Sequence, residues 1–115
     1  MHKVEDLKIW RKSLELTKVV YLLITALPSD EKYGLTSQIK RCTISIPSNI
    51  AEGAGRNSRK EFKHFLSIAN GSCYELQTQL ILLKELNLIE AIRVKPIIEL
   101  CIEIQKMNYV FQKKL

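Results

Sequence analysis

The densest grouping of side chains with chemistry to offer is Arg56-Asn57-Ser58-Arg59-Lys60-Glu61-Phe62-Lys63-His64. Ser58 with Glu61 three positions on is the pattern of a helix capping box. The segment therefore reads as a loop running into a helix N-terminus. Unpaired backbone N–H groups at such an end favour anions, and Arg56, Arg59, Lys60 and Lys63 are candidates for holding phosphates. The same residues equally suit a solvated face that keeps a basic protein in solution. Phe62 and Phe65 read as core positions, so stacking of unpaired bases on aromatic rings is not indicated.

Signals for catalysis are missing. His2 and His64 are the only histidines, and neither belongs to a cluster with metal-ligand spacing. There is no Glu-x-x-His pair of the di-iron bundles. The glycines form neither a phosphate-binding loop nor a dinucleotide fingerprint. Cys42 or Ser45 as a nucleophile needs a positioned base that no pattern supplies. The expectation is a protein without enzymatic activity, metal, cofactor or small-molecule substrate. Cys42, Cys73 and Cys101 are odd in number and lack C-x-x-C spacing, which argues against a disulfide framework. Each sits among apolar neighbours, as buried reduced thiols do, and this points to the cytoplasm. The charged start of the chain carries no apolar signal core. The longest apolar run, Val19 to Ile24, is too short to span a bilayer. A net charge of +6 makes nucleic acid a partner class worth testing.

The elements that must position the basic segment are helical. The length, 115 residues, is that of one domain, 1–115. Leu7, Trp10, Leu14, Tyr21 and Ile24 repeat at helical spacing over 6–27. Asp6 is the expected cap and Pro28 the stop. A second stripe, Ile9, Leu16, Val20, Leu23 and Leu27, lies beside the first and makes the apolar face wider than one core requires. That surplus predicts contact with a second subunit. Residues 35–53 carry two patterns. Leu35, Ile39, Cys42 and Ile46 are helical in spacing, while Cys42 to Ile46 alternates as a β-branched strand does. A lone strand has no pairing partner, so a helix kinked at Pro47 is expected, ending at Gly53 and Gly55. Asn49 is expected to satisfy backbone freed by that proline. Glu52 and Arg56 have the order and spacing of a helical ion pair.

Ser58 opens a third helix that ends near Leu86-Asn87. Its Gly71 costs about 1 kcal/mol relative to Ala, and close approach of a neighbouring helix is the expected reason. Residues 88–93 read as a link, with Pro96 in the first turn of the last helix. The seam Ile97, Leu100, Ile104, Met107 and Phe111 follows. Four helices joined by short connections make an all-α, antiparallel up-down-up-down four-helix bundle.

Several segments together resemble one known family. They are Asp6-Leu7-Lys8-Ile9-Trp10, Tyr33-Gly34-Leu35-Thr36-Ser37-Gln38 with Arg41, and above all Ser45-Ile46-Pro47-Ser48-Asn49-Ile50-Ala51-Glu52-Gly53 with Arg56. Phe65-Leu66-Ser67-Ile68-Ala69, Gly71-Ser72 and Glu75-Leu76-Gln77-Thr78-Gln79-Leu80 continue the pattern. The chain looks like the four-helix-bundle proteins encoded within intervening sequences of bacterial 23S ribosomal RNA genes. The resemblance runs from Asp6 to about Leu88 and more loosely beyond. It implies a bacterial cytoplasmic homopentamer. It also implies kinship with accessory proteins of diversity-generating retroelements, whose basic surfaces bind nucleic acid. The family often has Ala where this chain has Cys42, and a bulky residue such as Tyr where it has Ala54. The resemblance and the charge together favour an oligomer that binds structured RNA. A purely structural or protein-interaction oligomer is the alternative.

Overall fold

A computed structural model describes residues 2–115. Helix α1 spans Lys8–Ile24, α2 Leu35–Ala54, α3 Arg59–Glu85 and α4 Ala91–Lys113; single 3-10 turns at Val4–Asp6 and Ser29–Glu31 complete the regular structure. The stretch that alternates like a strand, Cys42 to Ile46, lies wholly inside α2, and among the described residues there is no strand. The four helices form a closed ring of neighbours: α1 beside α2, α2 beside α3, α3 beside α4, and α4 beside α1. Between α2 and α3, Gly53 meets Phe62 and Phe65, Ser45 meets Ser72 and Cys42 meets Gln79. Rising numbers on one helix thus pair with falling numbers on the next. The pairs Asn108 with Leu66 and Cys101 with Cys73 do the same for α3 and α4.

The ends follow local chemistry. The Ser58 hydroxyl accepts the Glu61 N–H at 3.1 Å, the N-cap half of a capping box, and donates to the Glu61 carboxylate at 3.1 Å in place of the Ser58 N–H. Helix α3 stops in a left-handed residue, Asn87, with φ of 56°. Its N–H donates to Lys84 O, and that of Leu88 to Leu83 O, which together cap two carbonyls the helix leaves free. Asp6 does not cap α1 as expected. It sits in the preceding 3-10 turn, and Leu7 occupies the cap without a side-chain bond. Nor does Pro96 lie in a first turn. Helix α4 begins at Ala91 and carries Pro96 inside it. The proline forfeits a donor to the carbonyl four residues back, that of Ile92. Ile92 is 78% exposed, so water can meet that carbonyl at little cost.

The core is aliphatic. Leu16, Val20, Ile39, Ile46, Ile50, Leu66, Leu76, Leu80, Leu83, Val94 and Ile104 are fully or almost fully buried. The second stripe of α1 supplies Ile9, Leu16, Val20 and Leu23 to this core, while Leu7, Trp10, Leu14 and Tyr21 of the first stripe are half-buried. Most of the expected surplus on α1 is therefore absorbed within the chain, and only Leu22 stands clear at 70% exposure. The three fully buried polar residues are paired. Ser13 donates to Trp10 O, Thr43 to Ile39 O and Asn108 to Leu66 O, as burial of such groups requires.

Two expectations about the middle of the chain need correction. Asn49 Nδ2 donates to Ser45 O and Ser45 Oγ, at 2.8 and 2.9 Å. The carbonyl that Pro47 deprives of a donor is that of Thr43, so Asn49 serves a different group. It orients Ser45, whose hydroxyl meets Ser72 across the α2–α3 interface at 2.9 Å. Gly71 does not mark a close approach, since a Cβ there would meet nothing within 4 Å. Close approach occurs at Gly53. A Cβ there would lie 2.8 Å from Phe65 Cβ and 2.9 Å from Phe62 Cδ1.

Candidate nucleic-acid interface

The four cations singled out in the sequence fall into two groups. Arg56 lies just past the α2 cap, Gly55, in the short connection to α3. Its guanidinium contacts the Glu52 carboxylate at 2.7 Å and that of Glu61 at 3.5 Å. It also lies over the Phe65 ring, 4.9 Å from the centroid. The Glu52 hydrogen bond raises its pKa still further, so its charge is permanent but locally compensated. Arg56 fastens the end of α2 to the start of α3. Arg59, Lys60 and Lys63 are exposed on the first turns of α3 and make no ion pair among the described residues. Spacings of three and four put Lys63 beside both Lys60 and Arg59 on the helix surface.

The fold adds cations that lie far away in the sequence. His2, Phe62 and Phe111 pack edge to face, with centroids 5.0 to 6.0 Å apart. This cluster draws the start of the chain, the start of α3 and the end of α4 to one end of the bundle. Lys63 and Lys113 line one groove there, and Lys8, Lys106 and Lys114 line another, between the start of α1 and the end of α4. With Lys3 next to His2, nine of the chain's eighteen Lys and Arg residues gather toward this end. The carboxylates near it are Glu5, Asp6, Glu52, Glu61 and Glu103; Arg56 engages Glu52 and Glu61, and Lys12 engages Glu103. Lys18, Lys32, Lys40, Arg41, Lys84, Arg93 and Lys95 lie toward the other end, where Asp30, Glu31, Glu75, Glu85, Glu90 and Glu99 nearly balance them. Most of the net positive charge thus sits at one end. The other basic stretch, Lys8, Arg11 and Lys12, is largely occupied. Arg11 donates to Glu5 O at 2.7 Å, and Lys12 pairs with Glu15 and Glu103 at 3.4 and 3.5 Å.

The sequence profile described as 23S rRNA-intervening sequence protein matches residues 5–110. The chain belongs to that family. A crystal structure from Bacteroides thetaiotaomicron, described as a protein with unknown function from the S23 ribosomal protein family, superposes with a TM-score of 0.83. It is 28% identical, and the match covers 91% of this chain and 98% of that one. No curated protein sequence matches the chain.

The two positions at which the sequence resemblance suggests departures, Cys42 and Ala54, are both interior, 3% and 2% exposed. The Cys42 thiol donates to Gln79 Oε1 at 3.0 Å, and its pKa is pushed by burial from 9.0 to about 12. Cys101 is shifted upward as well, by its hydrogen bond with Cys73 and by burial. All three cysteines are free and buried. Among the described residues no group of three or more His, Cys, Asp and Glu gathers as a metal site would. No described helix is long and apolar enough to cross a membrane.

Proposed function

We propose that this protein is a non-enzymatic oligomer of the cytoplasm that binds structured RNA through its basic end. The observation that carries the reading is the gathering of half the cations at one end of the bundle, with Arg59, Lys60 and Lys63 free of ion pairs at a helix N-terminus. Lysine, arginine and free N–H groups suit phosphate oxygens. No feature of that end supplies a nucleophile with a base, so binding is the chemistry on offer. Titration with a stem-loop RNA over a salt series tests the reading, because displaced counterions make phosphate binding weaken steeply with salt. Replacing Arg59, Lys60 and Lys63 with Gln should weaken binding and reduce the log–log salt slope by roughly 2 to 3. Arg56→Gln should do far less to the slope, because the Arg56 charge is already met by Glu52 and Glu61. An unchanged slope in the triple variant would remove the proposed site.

A second observation bears on assembly. Leu22 and Ile92, 70% and 78% exposed, line one groove with Val19 and Pro96. Two large apolar side chains exposed side by side suit cover by another chain, and a second copy is the proposed occupant. Five subunits is the number that the family resemblance suggests. If the chain proves to bind no RNA, this surface supports the alternative reading as a structural or protein-interaction oligomer.

A further inference from the structure

We infer that the groove between α3 and α4 is a stacking site for unpaired nucleotide bases. The inference rests on the nucleic-acid reading above and adds the class of ligand. Two cavities of about 290 and 590 Å³ share Asn70 and Tyr109, so they form one continuous groove. Lys63, Asn70 and Tyr74 line it from α3, and Lys106, Tyr109 and Lys113 from α4. No aspartate or glutamate lines it anywhere. The two tyrosines are 54% and 63% exposed, so their rings are open to a ligand on either side of the groove. Lys113 Nζ stands 4.5 Å from the Tyr109 ring centroid. Exposed rings flanked by lysines are the combination that holds single strands: rings stack on bases, and cations follow the backbone.

The floor of the groove adds a reason for bases over bare phosphate. Asn108 is 1% exposed. It donates to Leu66 O and accepts from Gln112 Nε2 at 2.6 Å, which fixes both side chains. Asn70 Oδ1, by contrast, is buried and accepts no hydrogen bond. A backbone phosphodiester brings only acceptors and cannot satisfy another acceptor. A base N–H, ring or exocyclic, can once the Asn70 amide turns toward the groove. A second copy of this chain fits poorly, because it would bring net positive charge to a groove lined by three lysines and no carboxylate. Lys63 belongs both to this groove and to the basic end, so a strand leaving the groove runs directly onto Arg59 and Lys60.

The test uses the full chain with three RNA probes: oligocytidine and oligouridine of about twelve nucleotides, a length that single-strand sites commonly cover, and a blunt RNA duplex. Tyr74→Leu and Tyr109→Leu should each weaken oligocytidine binding roughly 5- to 150-fold and leave duplex binding unchanged. Tyr→Phe at either position should retain binding, because the ring remains. Oligocytidine and oligouridine should both bind, since each base offers an N–H donor, and Asn70→Ala should weaken both while leaving the duplex unchanged. Unchanged single-strand affinity in both Leu variants, with duplex still bound, would overturn the stacking site and leave the RNA reading intact. Failure of the unmutated chain to bind any of the three probes would overturn both. A drop in particle mass in the Leu variants would also overturn the inference, by showing that another subunit fills the groove.

Discussion

Replacing two glycines by alanine should move stability in opposite directions, and the structure gives both magnitudes. Neither glycine has positive φ, so alanine fits the backbone at each. At Gly53 the new methyl would lie 2.8 Å from Phe65 Cβ and 2.9 Å from Phe62 Cδ1. The Phe65 atom is one bond from the α3 backbone, so relief requires α2 and α3 to part. Overpacking of this kind costs about 1–3 kcal/mol, and two such contacts place Gly53→Ala near the upper end. Helix propensity returns up to about 1 kcal/mol. The net expectation is a loss of about 1–2 kcal/mol. For a chain of this size that lowers the melting temperature by about 4–8 °C. At Gly71 a methyl meets nothing within 4 Å. Only the propensity term acts, giving a gain of about 1 kcal/mol, or about 4 °C. Calorimetry at matched protein concentration reads both. A neutral or stabilising Gly53→Ala would mean that the α2–α3 approach is looser than described. A destabilising Gly71→Ala would mean that another subunit packs on that position.

The cysteines and the assembly give further expectations. In the native protein no thiol should react with a disulfide reagent at pH 8 until denaturant is added, and one fast equivalent would contradict the burial of Cys42, Cys73 and Cys101. Because the folded pKa of Cys42 lies near 12 against 9.0 for a free thiol, the protonated form is favoured in the fold. Its contribution is complete below pH 9 and is lost as pH rises toward 12. The alkaline loss measured by denaturant unfolding should therefore be smaller in Cys42→Ala. For assembly, light scattering should give a multiple of the 13.3 kDa chain mass. Leu22→Asp with Ile92→Asp should disperse it, since each apolar side chain withdrawn from water is worth about 1.5–3 kcal/mol. A wild-type monomer at micromolar concentration would refute the assembly.

What could be read from the sequence was the local physics. Helical spacing, the Ser58 box, the Glu52–Arg56 pair and the stop at Asn87 all depend on residues within a turn or two, and each is found where the spacing puts it. The strand-like Cys42 to Ile46 run resolved correctly because a strand needs a partner. Pro96 misled because a proline after the first turn is ordinarily expensive, and the exposure of Ile92 that removes the expense is a tertiary fact. Gly71 misled for the converse reason: a mid-helix glycine suggests a close neighbour, and the close neighbour is at Gly53. The basic end was only half visible. Arg56 to Lys63 are contiguous, but Lys3, Lys8, Lys106, Lys113 and Lys114 join them only when the chain ends meet around Phe62 and Phe111. Tyr74 and Tyr109 could not be told from seam residues, because a spacing of three or four permits either side of a helix boundary.

The placement of the apolar and basic surfaces would let the proposed assembly serve the proposed binding. Leu22 lies in the last turn of α1 and Ile92 in the first turn of α4, while Lys8 opens α1 and Lys113 closes α4. Fourteen residues of helix separate Lys8 from Leu22, about 21 Å along the axis, in a molecule 43 Å long. Subunits joined through Leu22 and Ile92 would therefore leave their basic ends uncovered. A closed arrangement would present one copy of Arg59, Lys60 and Lys63 per subunit on a single particle. Each copy alone is a cluster of solvated charges, weak in physiological salt. Held at fixed spacing, the copies act together, and the gain comes from effective concentration with no new contact required. If the basic end binds RNA as proposed, the exposed apolar groove at the far end serves the same function, because it would set how many basic ends reach the RNA at once.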